Sequence, residues 1–90
     1  MKIKEEYILQ NIAGKWIVID TNARSVNFNK LLALNETGKL LWEKLEQGAD
    51  MEALVAALID GFGVDAETAR NDAAAFIRNL KELECIDDET

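Results

Sequence analysis

Arg70, Ala74, Arg78 and Lys81 recur at intervals of four, four and three residues near the C-terminal end of the chain. On a helix this spacing puts them on one face. Three cations beside a small side chain suit ion pairing with an acidic ligand, which is recognition chemistry. The alternative is an ordinary solvated helix face made of good helix formers, and the spacing alone leaves both open. Bond-making chemistry has little to work with. The sequence contains no His, the commonest general base and metal ligand. Its single Cys85 excludes an internal disulfide and a multi-cysteine metal site, and reads as a small buried hydrophobe. There is no clustered ligand set, Gly-rich phosphate loop or nucleophile elbow. No enzyme activity, metal or cofactor is expected.

The elements that must position these residues belong to one small domain. Ninety residues bury roughly 60–65% of their unfolded surface. An apolar share of 49% supplies one core. No run approaches the ~18 apolar residues of a membrane span. Residues Met1–Glu6 turn acidic at once and lack the apolar stretch of a signal peptide, so a cytoplasmic protein is expected. The net charge of −7, from 17 acidic and 10 basic residues, opposes a phosphate backbone and suits solubility or a basic partner.

Residues 7–12 and 16–20 read as strands, rich in β-branched and aromatic side chains, with a glycine-containing hairpin link at Ala13-Gly14-Lys15. A third strand is expected within 25–34, with a bulge near Asn29-Lys30 to reconcile its two halves. Helices are expected over 36–47, 51–60 and 66–83, with Asn35, Asp50 and Asp65 as N-caps and Gly48 as a stop. The third carries a core stripe of Ala69, Ala73, Phe76, Ile77, Leu80 and Leu83. Trp42 is expected in the core and Trp16 half exposed. Ile86 reads as an apolar tail closing the core, and residues 87–90 as a fraying end. The order gives an α+β fold, a three-stranded antiparallel sheet followed by three helices, as in a winged helix-turn-helix.

The pattern Leu34-Asn35, Trp42-Glu43-Lys44-Leu45 and Gly48, then Leu54, Leu58 and Phe62-Gly63-Val64-Asp65, then Asp72, Phe76-Ile77, Leu80 and Leu83, resembles the PqqD-like family. These are small domains that hold the leader segments of ribosomally made precursor peptides. The resemblance covers nearly the whole chain. It implies a winged helix-turn-helix used for peptide capture, the leader adding as a strand to the third strand and lying against the third helix. It implies two partners: the precursor peptide, and a maturation enzyme such as a radical SAM protein or a leader peptidase. Two departures stand out. Cys85 lies near the end of the third helix where the family often has Gly, and Ala73 follows Asp72 where a β-branched residue is more usual.

Candidate peptide-binding residues follow on both sides of such a groove. On the strand they are Lys30, Leu31, Leu32, Ala33 and Leu34. Alternation sends only about half of this apolar run into the core, so the rest forms either an exposed docking edge or a surface covered by the helix. On the helix they are Arg70, Ala73, Ala74, Ile77, Arg78 and Lys81, with Ala73-Ala74-Ala75 leaving room for a partner's side chains. A rival reading is a winged helix-turn-helix DNA-binding regulator, using Arg70, Asn71, Arg78 and Lys81. Glu67, Asp72, Glu82 and Glu84 share that helix and oppose it, so no nucleic acid and no membrane partner is expected.

Overall fold

The computed structural model describes residues 1–21 and 32–87. Among these residues the elements follow in the order β1 (Lys2–Ile3), β2 (Tyr7–Ile12), β3 (Lys15–Asp20), β4 (Leu32–Leu34), α1 (Glu36–Glu46), α2 (Met51–Phe62), α3 (Ala66–Glu82) and β5 (Ile86–Asp87). Strands β2, β3 and β4 form an antiparallel sheet in that order. With three helices behind it, this is the expected α+β architecture. The expected bulge near Asn29-Lys30 lies outside the described residues, as do the candidate site residues Lys30 and Leu31.

The β2–β3 hairpin closes through Ala13 and Gly14, at φ 53° and 82°. Two consecutive positive φ values are the type I′ geometry that matches strand twist. Lys15 therefore belongs to β3, pairing with Ile12, and is not part of the turn. Register sets the faces. Trp16 sits opposite Leu34 and Val18 opposite Leu32, so these side chains share the face that packs on the helices.

Each helix begins where a local signal says it should. The carboxamide of Asn35 and the carboxylates of Asp50 and Asp65 accept the N–H of the third residue on, at 2.8, 2.8 and 2.7 Å. Each cap contributes about 0.5–2 kcal/mol. Helix α1 stops at Gly48, at φ +88°. Helix α2 runs past the expected end to Phe62, through Gly61. A β-carbon on Gly61 would lie 3.0 Å from Leu40 Cδ2, so the glycine permits close approach of α1 and α2 and does not break the helix. The stop is Gly63, in the left-handed region at φ 66°.

Helix α3 ends in a Schellman motif. The N–H of Cys85 donates to Leu80 O at 2.9 Å and the N–H of Glu84 to Lys81 O at 3.1 Å. The left-handed residue that this motif requires is Glu84, at φ 59°. Cys85 is thus not at the glycine-favouring position; it is the buried residue after it, packed in the core beside Leu80.

The core gathers Val18 from the sheet, Leu41, Trp42 and Leu45 from α1, Leu54 and Leu58 from α2, and Ala69, Ala73, Ile77 and Leu80 from α3. Trp42 is fully enclosed, and its indole N–H has no hydrogen-bond partner among the described residues. An unpaired buried donor costs about 1–3 kcal/mol, which the ring's apolar burial offsets. A feature absent from the sequence reading ties the chain ends together. Ile3 pairs with Ile86 and Lys2 with Asp87 in a two-stranded antiparallel sheet, so Asp87 is part of a ladder and not of a fraying end. Among the described residues no helix is long and apolar enough to cross a membrane.

Candidate functional site

Strand β4 is an edge of its sheet. Only β3 pairs with it among the described residues. Facing that edge are the start of α1 and one flank of α3. Two adjoining concavities lie between them, of about 250 and 240 Å³, sharing Asn35, Gly38 and Phe76. Leu32, Ala33, Leu34 and Asn79 complete one, and Thr37, Leu41, Asp72 and Ala75 the other. A third, of about 490 Å³, continues round the end of β4 along Trp16, Ala33, Leu34 and Glu36.

The groove is built from local choices. Asn35 caps α1 and also accepts from Thr37 Oγ1 at 2.9 Å, which fixes the turn out of β4. Gly38 then keeps the first helical turn thin. A β-carbon there would lie 3.2 Å from Asn35 Oδ1, a tight approach, and at ordinary contact distance, 3.4 Å, from Leu34 Cδ2 and Phe76 Cε1, so the strand, the helix start and the Phe76 ring converge around this glycine. Phe76 is half-buried and forms the apolar centre of the floor. At the rim of the sheet, Lys39 Nζ sits 4.5 Å from the centre of the Trp16 ring and 3.6 Å from Glu43, a cation–π and ion-pair arrangement that holds this cation on its own chain. At the start of α3, hydrogen bonds from the Thr68 side chain and N–H hold the Asp65 carboxyl below the usual carboxylate range.

The expected site residues divide accordingly. Leu32, Ala33 and Leu34 line the groove. Ala33 is exposed, while Leu32 and Leu34 are half-buried beneath it. The helix residues do not join them. Ala73 and Ile77 are buried at 0% and 5% exposure, so the core already covers their surface. Arg70, Ala74, Arg78 and Lys81 lie on the opposite flank of the core stripe. Arg70 turns to α2 and meets Glu52 at 3.5 Å. None of these six on α3 lines the concavities beside β4; the flank that does carries Asp72, Ala75, Phe76 and Asn79. The signal that could have found it is the spacing of Asp72, Phe76 and Asn79, at four and three residues.

Among the described residues the arrangement offers a strand edge paired on one side, an apolar floor, and two carboxylates, Asp72 between β4 and α3 and Glu36 round the end of β4. Among the described residues no group of three or more His, Cys, Asp and Glu is placed to hold a metal. Burial pushes the Cys85 thiol up to about 11, with Asp20 adding to the effect, which keeps it protonated and unreactive at neutral pH.

Two solved structures resemble the whole fold. One is TbiB1 in complex with the TbiA(beta) leader peptide, at TM-score 0.78 and 23% identity, covering 100% of this chain and 99% of that one. The other is lasso peptide synthetase B1 complexed with the leader peptide, at TM-score 0.70 and 21% identity, covering 90% of this chain and 89% of that one. At these identities the likeness speaks for the fold. Among curated proteins, none matches at a significant level. A family model described as coenzyme PQQ synthesis protein D matches residues 6–86, a span that takes in the β2–β3–β4 sheet and all three helices, and the chain belongs to that family, PqqD.

Proposed function

We propose that this protein is a non-catalytic peptide-binding chaperone. It captures the leader of a ribosomally synthesised precursor peptide by strand addition to β4, with the leader's side chains seated against α3. It then presents the precursor to a maturation enzyme, a radical SAM protein or a leader peptidase, in the cytoplasm. The observation that carries this reading is the outer edge of β4, which among the described residues has no strand partner, facing an apolar groove floored by Phe76. Main-chain hydrogen bonds along the edge supply generic affinity, and the groove supplies selectivity. The two leader-bound structural neighbours and the family membership support it. One added strand that must first be ordered binds at roughly micromolar to submicromolar strength.

The DNA-binding alternative would need α3 as its reading helix. Arg70 is tied to Glu52, and Glu67, Asp72 and Glu82 stand on the same helix. Charge thus favours peptide over phosphate backbone. The test is an NMR titration of the labelled protein with the N-terminal leader of a small peptide encoded beside it. Saturable shifts at residues 32–34 and on the Asp72–Asn79 flank of α3 are expected. Silence with leader but shifts with duplex DNA at low salt would reverse the assignment.

A further inference from the structure

We infer that the groove selects a leader carrying a basic residue two positions N-terminal to an apolar anchor, a preference that rests on the peptide-capture reading above. Among the described residues, Asp72 is the only ionisable one lining the two concavities between β4 and α3. It is exposed, and it makes no ion pair or hydrogen bond among the described residues. Among the described residues no cation pairs with it. Arg70 is engaged with Glu52, Lys39 is held at Trp16 and Glu43, and Arg78 and Lys81 stand on the far flank. A carboxylate beside an apolar floor interacts more strongly with an incoming charge than one in open water. The sign is opposite to the one the Arg70–Lys81 face suggested: acidic peptides are repelled here and basic ones held.

The spacing follows from geometry. Asp72 stands one turn before Phe76 on the same face, about 6 Å along the axis. Alternate residues of an extended peptide repeat at about 6.6–6.8 Å, so a strand that sets an apolar side chain over Phe76 brings its next groove-facing residue level with Asp72. Asp72 shares its concavity with Thr37 and Leu41, beyond the C-terminal end of β4, whereas Asn79 lies alongside Leu32 and Ala33. Every pairing within this sheet is antiparallel. A peptide continuing that pattern enters at the Asp72 end, which puts its basic residue first and its anchor second.

The experiment is selection of a phage-displayed random dodecapeptide library on the immobilised full-length chain. Groove binders are identified by NMR shifts at Leu34 and Phe76. The expected result is enrichment of Lys or Arg two positions before an apolar residue. Neutralising that residue to Gln, or Asp72→Asn in the protein, should each weaken binding about 3–5-fold, and both together no further. Asp72→Lys should switch the enrichment to Asp and Glu, a reversal that loss of structure would not produce. Groove binders without a basic preference, unaffected by Asp72→Asn, would overturn the inference and leave peptide capture standing. No groove binder at all would overturn both.

Discussion

The two flanks of α3 have the same helical geometry and opposite character. One carries Arg70, Ala74, Arg78 and Lys81, and turns to α2 and solvent. The other carries Asp72, Ala75, Phe76 and Asn79, and turns to the open edge of β4. Between them runs the buried stripe of Ala69, Ala73, Ile77 and Leu80. Charge marks the first flank as the conspicuous one, yet an apolar surface facing an unpaired strand is what strand addition uses. Conspicuous cations on a helix are cheap to solvate and need no partner. An incompletely covered Phe76 beside a strand edge that no described residue pairs is the rarer feature.

The largest effect should come from Phe76→Ala. Removing the apolar anchor of the groove should weaken leader binding about 10–30-fold, measured by calorimetry, as for central interface aromatics. The double variant Arg78→Glu with Lys81→Glu should change it less than about twofold. If the double variant proved the more damaging, the flanks would have to be exchanged.

A leucine scan of three consecutive alanines sharpens the comparison, because each step turns 100° around α3. Ala73→Leu should overpack the core and cost about 1–3 kcal/mol of unfolding free energy in urea titrations. Ala75→Leu should leave stability almost unchanged and narrow the groove, weakening leader binding several-fold. Ala74→Leu should do neither. A loss of binding at Ala74→Leu with none at Ala75→Leu would contradict the assignment.

A smaller effect concerns the end of α3 that both flanks share. Burial, chiefly, raises the Tyr7 phenol to about 12, and the Cys85 thiol to about 11. Tyr7 Oη donates to Leu83 O at 3.5 Å, at the helix terminus. Both folded values lie above the ordinary ones, so the fold prefers the protonated forms. Their contribution is complete below pH 9.0, the ordinary thiol value, and is lost as pH rises through about 11 and then 12. Stability measured against pH should fall on the alkaline side, and Cys85→Ala should flatten the first part of that fall. An unchanged slope would mean that Cys85 does not contribute.

Much of the fold is legible in the sequence because its signals are local. Asn35, Asp50 and Asp65 each announce a helix through one hydrogen bond to a near neighbour, and Gly48 ends one through its own φ. Gly61 misleads because its role is tertiary, giving room to Leu40 of another helix. The Ile3–Ile86 pairing is illegible for a related reason: two-residue strands carry no period, and their partners lie at opposite chain ends. The strand side of the candidate groove, Leu32, Ala33 and Leu34, shows as an apolar run beyond what alternation can bury. The helix half is lost because periodicity finds the buried stripe but not which flank meets β4. That is a matter of tertiary packing: Leu34, Asn35 and Phe76 come together around Gly38 from three separate elements. Phe76 reads as core by spacing and is in fact half-buried groove floor.

The most direct test of the groove assignment is a residue-resolved NMR titration with the leader peptide. Saturable shifts should appear at Leu32, Leu34, Gly38, Asp72, Ala75, Phe76 and Asn79, with Arg70, Ala74, Arg78 and Lys81 unmoved. Shifts confined to the basic flank, with the β4 edge silent, would contradict it.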